Sequence, residues 1–109
     1  MQGKVIAVSL SAKKGQPKEN QAQIKLIAQY GVENDAHAGD PLRQVSLLAM
    51  ESIQKILDLG LEVSPGGFAE NITTAGLNIW ELKVGDTLQI GAGVILRISQ
   101  LGKVCHNRC

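Results

Sequence analysis

Aromatic side chains are scarce: Tyr30, Phe68 and Trp80 are the only three in 109 residues. A core of stacked rings is excluded, so Val, Ile, Leu and Ala must fill it. Long apolar runs are missing too. None approaches the roughly 20 residues that cross a bilayer. After Lys4 the apolar run is too short and too alternating for a secretory leader, so a cytoplasmic protein with no membrane partner is expected. There is little charge of either sign in excess. Eleven Lys and Arg against ten Asp and Glu give a formal net charge of +1, which argues against a nucleic-acid partner. Cysteine is confined to Cys105 and Cys109, expected reduced in that compartment. Four clean zinc ligands are not visible, and Cys-x-x-x-Cys is not zinc-knuckle spacing. Internal repeats and low-complexity segments are absent as well. What remains, 44% hydrophobic and 19% charged residues, fits a globular domain and excludes disorder. The length points to a single domain over residues 1–109.

The pattern predicts several short strands and one helix. Lys4 to Ser11 alternates, with Ile6, Val8 and Leu10 on one face and the smaller Val5, Ala7, Ser9 and Ser11 on the other. The small face suggests a strand against which something packs closely. Lys13 to Lys18 reads as a solvated loop. Gln23 to Tyr30 alternates and is expected as a strand, with a helix as its competitor because Gln, Ala, Lys and Leu are good helix formers. Val32 to Pro41 is a loop, and Arg43 to Leu48 a short strand. In Met50 to Leu59 the apolar residues Met50, Ile53, Ile56 and Leu57 fall at helical spacing, with Gly60 placed as a left-handed cap. Phe68 to Thr73 reads as a strand. Val84-Gly85-Asp86 is a turn into a hairpin whose arms are Thr87–Ile90 and Val94–Leu101. The sum is a mainly β, β-barrel-like domain with a small α component.

Three constellations could carry chemistry. Cys105-His106-Asn107-Arg108-Cys109, with Lys103 before it, puts positive charge beside a thiol and favours the thiolate. Such a thiolate suits a nucleophile, a sulfur carrier or a soft-metal ligand. The plainer alternative is a buried hydrophobic Cys105 with an incidental Cys109. Around His37 runs Asp35-Ala36-His37-Ala38-Gly39, followed by Arg43 and Gln44. An arginine there supplies bidentate donors for an anion or a planar ring; a surface-loop histidine is the alternative. Glu70-Asn71-Ile72-Thr73-Thr74 follows Gly66 and Gly67. Asn71 offers a donor and an acceptor suited to a heterocycle edge, and the glycines allow close backbone approach. Edge decoration of a strand is the alternative there.

These motifs together resemble one family. Glu33-Asn34-Asp35-Ala36-His37-Ala38-Gly39 with Arg43-Gln44-Val45-Ser46-Leu47-Leu48 is similar to a signature of MOSC domains, the molybdenum cofactor sulfurase C-terminal domains. Pro65-Gly66-Gly67-Phe68-Ala69-Glu70-Asn71-Ile72-Thr73 is similar to a second motif, with Ala69 at the family's usual Gly. Leu82 to Asp86 and Gln100 to His106 match later stations in order, with Val104 at a frequent Pro. The resemblance runs from Lys4 to Cys109.

It implies a barrel of the pyruvate-kinase type that binds molybdenum cofactor (molybdopterin) or handles sulfur bound for a metal centre. In the expected site, Arg43, Lys103 and Arg108 neutralise the cofactor phosphate. Gln44, Asn71, Thr73 and the backbone near Gly67 read the pterin. Cys105 is the sulfur carrier or metal thiolate, with His106 or His37 tuning it. His37, Arg43, Asn71 and Cys105 are expected to line one concavity. The expected partner is a sulfur-donor protein such as a cysteine desulfurase. Pyridoxal phosphate belongs to that donor and is not expected on this chain. Family members usually continue past the Cys-His segment into a further strand and a Cys-bearing loop. The chain is therefore read as a fragment or a minimal variant, and an open sheet edge leads to the expectation of a two-fold homodimer. The rival class is a non-catalytic binding or regulatory module that keeps the pocket without that loop.

Overall fold

A computed structural model describes residues 2–14, 16–40, 44–77, 79–91 and 93–99. Among them the chain is mainly strand, with one α-helix. It divides into two units, Met1–Ile79 and Trp80–Cys109.

The first unit is organised on β1 (Lys4–Leu10), which pairs antiparallel with β2 (Glu19–Gln21) on one side. The strands β3 (Leu26–Ile27) and β4 (Gly31–Val32) form a separate two-stranded ribbon. Next come β5 (Leu47–Ala49), α1 (Met50–Asp58) and β6 (Ile72–Ala75). On its other side β1 pairs antiparallel with β6, and β6 pairs parallel with β5. The sheet order is thus β2-β1-β6-β5. Parallel neighbours cannot be joined by a hairpin. The segment from α1 to the turn before β6 is the crossover that joins them, and α1 packs on both strands.

Strand β1 is where the pattern predicts it, but its alternation is interrupted. Val5 pairs with Thr74 and Ala7 with Thr73, so Ile6 is an extra residue in the ladder. A bulge resets the side-chain alternation. Val5 and Ile6, at the irregularity, are left 46% and 48% exposed, while further along Ala7, Val8 and Leu10 are half-buried and Ser9 is fully buried. Helix α1 matches its predicted span. Ile53 is fully buried, Met50, Ile56 and Leu57 are half-buried, and Glu51 and Lys55 face solvent. No side chain caps its start. Glu51 instead accepts the Gly76 N–H at 2.7 Å, and that bond holds its carboxyl below the usual range. Gly60, at φ 90°, closes the other end by donating to the Leu57 carbonyl at 2.9 Å.

Four expectations are corrected in this unit. Gln23 to Tyr30 is not one strand. The chain reverses at Ala28–Tyr30, with Gln29 at φ 60°, and only Leu26–Ile27 pairs. The strand expected from Arg43 begins at Leu47. The strand expected from Phe68 begins at Ile72, because Pro65 to Glu70 is a folded turn. Lys18, expected in a solvated loop, is buried.

The second unit holds β7 (Thr87–Ile90) and β8 (Val94–Arg97), the predicted hairpin. Leu88 pairs with Leu96 and Ile90 with Val94, and these are half-buried while Thr87, Gln89, Ile95 and Arg97 are exposed. Gly85 at φ 97° makes the preceding turn, and Asp86 braces it by accepting the Lys83 N–H at 2.8 Å. Asp86 and Ile98 extend the ladder by one more backbone bond of 2.8 Å. The arm expected to reach Leu101 ends as a strand at Arg97, with Ile98 and Ser99 following outside it; residues 100 and 101 lie outside the described residues. Among the described residues the strands form this hairpin, the ribbon and the four-stranded sheet, and no closed barrel. No helix among them is long and apolar enough to cross a membrane.

Candidate functional site

The turn from Glu33 to Asp40 is wound around one carboxylate. Asn34 at φ 69° and Gly39 at φ 83° give the backbone its reversals. Between them Asp35 points inward. Its Oδ1 accepts the Ser11 N–H at 3.1 Å and the Lys18 ammonium at 2.8 Å. Its Oδ2 accepts the His37 N–H at 3.1 Å. The Lys18 and Asp35 side chains are both fully buried. The Lys18 Nζ also lies 3.3 Å from His37 Nδ1, and the His37 side chain is 24% exposed. Burial alone pushes the Asp35 carboxyl up. The Lys18 hydrogen bond, the Ser11 and His37 amides and the Lys18 charge outweigh it, so Asp35 sits below the usual carboxylate range. The result is an ionised pair inside the unit with an imidazole at its edge.

The second turn is built the same way. Glu70 is buried, and its carboxylate accepts the Gly66 N–H at 2.9 Å, the Phe68 N–H at 3.2 Å and the Thr73 hydroxyl at 2.9 Å. Gly66 is obligatory, since a Cβ there would overlap the Lys18 carbonyl oxygen. The same two residues are also bonded: the Lys18 N–H donates to the Gly66 carbonyl at 2.8 Å. Lys18 therefore ties the two turns together, by its backbone to one and by its side chain to the other. Ala69 stands at φ 64°, a left-handed conformation that suits glycine.

Asn71 joins β1 to the segment before β5. Its Nδ2 donates to the Ser9 carbonyl at 3.0 Å, and its Oδ1 accepts the Ser46 N–H at 3.1 Å. The side chain substitutes for ladder partners, which is why Ser46 precedes β5 instead of belonging to it. At 1% exposure Asn71 is a clamp inside the protein. Thr73 is fully buried with its hydroxyl on Glu70. Both belong to the frame. Gln44 is half-buried and donates to the Gln29 carbonyl at 3.2 Å. Gly67 is exposed, with its N–H on the Ser64 carbonyl at 2.9 Å. Arg43, Lys103, Cys105, His106 and Arg108 lie outside the described residues. Of the four residues expected to line one concavity, His37 and Asn71 are described. They are linked through β1 and the residue that follows it, since Ser9 bonds Asn71, Ser11 bonds Asp35, and Asp35 accepts the His37 N–H.

The family model described as MOSC domain matches residues 34–109. The chain belongs to the MOSC domain family. No curated protein and no solved structure matches it. The match begins one residue before Asp35, so Lys18 and β1, which hold that turn, precede the matched segment. MOSC membership is consistent with molybdenum-cofactor-related binding in general.

The described residues fit such a group in part. They provide a frame, an exposed glycine backbone at Gly67 and a partly open imidazole at His37. Among them no cluster of His, Cys, Asp or Glu could hold a metal ion. A metal thiolate would have to come from Cys105 or Cys109. The buried roles of Lys18, Asp35, Glu70 and Ser9 escape the sequence pattern. Periodicity marks apolar faces, and nothing in a loop such as Lys13 to Lys18 signals that its last lysine turns inward. The one available hint was the small face of β1, which makes room for close neighbours.

Proposed function

We propose that this MOSC domain binds a molybdopterin-type cofactor or carries sulfur for a metal–sulfur centre. The family match over residues 34–109 carries the reading. The shared frame supports it, because two family motifs, the Asp35–Gly39 and Pro65–Thr73 segments, are braced against each other through Lys18.

In this reading Arg43, Lys103 and Arg108 meet the cofactor phosphate with charge-assisted hydrogen bonds. Gln44, the Gly67 backbone and His37 face the pterin, and Asn71 and Thr73 hold the strands that present them. Bound cofactor supplies the redox chemistry of its metal. Cys105 is the thiolate, and His106 beside it favours the ionised form. As a sulfur carrier, Cys105 attacks the outer sulfur of a persulfide on a donor such as a cysteine desulfurase. The donor cysteine leaves as thiolate and Cys105 keeps the persulfide. Pyridoxal phosphate stays on the donor. The fold is of the pyruvate-kinase barrel type in this reading, and the domain pairs as a two-fold homodimer.

Protein purified from a molybdenum-replete host tests this directly. Stoichiometric molybdenum and pterin are expected for cofactor binding, and cyanide-releasable sulfur that disappears in C105S for sulfur carriage. A chain with neither is a binding module without this chemistry.

A further inference from the structure

Lys18 is buried, charged and outside the segment that the family model matches. Its contact with His37 is of an unusual kind. An ammonium has three donors and no acceptor. At 3.3 Å from Nδ1 it can form a hydrogen bond only if that nitrogen carries no proton. The carboxylate that would reward an Nδ1–H, Asp35 Oδ2, is further off at 3.7 Å, and it already accepts the His37 backbone N–H. Asp35 Oδ1 in turn holds Lys18 at 2.8 Å, so the ammonium cannot swing away without leaving a buried carboxylate unpaired.

We infer that Lys18 is a positioning residue that fixes the tautomer of His37: the imidazole is neutral, with Nδ1 as acceptor and the proton on Nε2. The relay runs from Asp35 to Lys18 to His37. It makes the Nε2 edge of the ring a hydrogen-bond donor, the polarity that suits an acceptor oxygen or a ring nitrogen. A histidine with an adjacent carboxylate would ordinarily be set the other way, with Nδ1–H on the carboxylate. Here the buried ammonium is interposed and reverses that preference. The purpose of such an edge in cofactor binding rests on the proposed function; the tautomer itself does not.

The test is the long-range nitrogen–proton NMR spectrum of the two imidazoles in the full chain at neutral pH. His37 and His106 are the only histidines, and the H106Q variant assigns them. In the wild type, His37 is expected to show a protonated Nε2 and an unprotonated Nδ1. A wild-type spectrum with the proton on Nδ1, or on both nitrogens, overturns the inference, whatever cofactor analysis finds. The K18M/D35N variant removes both buried charges while keeping their volume. It should lose the preference and show both tautomers in comparable amounts, while K18R, which keeps a donor-only cation, retains it. An unchanged Nε2–H tautomer in K18M/D35N shows that something other than Lys18 fixes the ring.

Discussion

In the β7–β8 hairpin, apolar and polar side chains alternate, and the backbone ladder does the joining. In the two turns of the first unit the joining is done by side chains. Asp35, Glu70 and Asn71 each gather backbone N–H or carbonyl groups that no strand satisfies. Seven polar or charged residues are buried among those described, against four apolar ones, so a polar frame is what holds the candidate site. A frame of this kind specifies geometry more sharply than an apolar one, because each buried polar group needs its own partner. It is also more fragile, since removing one partner strands the other.

The largest effect should therefore come from breaking the buried pair on one side only. K18M or D35N alone is expected to lower the unfolding free energy by about 3–5 kcal/mol, measured by chemical denaturation. Acid should act on the same pair. The folded-state pKa of Asp35 lies below its unfolded value of about 3.9, so its contribution is fully present above that value. It is lost as pH falls through the lower, folded-state pKa. Urea midpoints followed down from neutral pH should stay level in this respect and then drop in acid, and D35N should remove that part of the drop.

Next in size is an apolar contact beneath the frame. Ile53 is fully buried under the sheet strands that the frame connects. I53A is expected to cost about 2–5 kcal/mol by the same measurement. A loss below about 1 kcal/mol would show that α1 does not hold β5 and β6.

Ala69 sharpens the comparison in the opposite direction. Its φ of 64° is adopted in a turn that Glu70 holds from inside. A69G should raise stability by about 1 kcal/mol, visible as a higher Tm, because the left-handed conformation costs an L-residue about that much. Unchanged or lower stability would place the strain elsewhere.

The hairpin supplies the smallest effect. Ile95 is 69% exposed on the outward face of β8. I95T should change stability by no more than about 0.5 kcal/mol.

The same contrast explains what could be read before the structure. The helix and the hairpin were legible as elements, because Ile53 and the Leu88–Leu96 face announce themselves by period, although the second arm ends at Arg97, short of its expected limit. The family motifs located the two turns, and Ala69 at a usual glycine marked the position now seen at positive φ. Strand limits were not legible where side chains replace the ladder. Asn71 delays β5 past Ser46, and the turn that Glu70 holds delays β6 to Ile72. The irregularity at Ile6 was not legible either, because a bulge leaves no mark on an alternating run. Lys18 was read as solvated because an exposed lysine and a buried one look alike in sequence; only its partner 17 residues away distinguishes them.

The Lys18–Asp35 pair is what holds the candidate site together, and a double-mutant cycle measures that pair alone. K18M, D35N and K18M/D35N are unfolded in urea under one set of conditions. The two single losses should exceed the loss in the double variant, with a coupling of about 2 kcal/mol or more. Losses that add to within about 0.5 kcal/mol would contradict it, and would mean that the two turns stand without the ion pair between them.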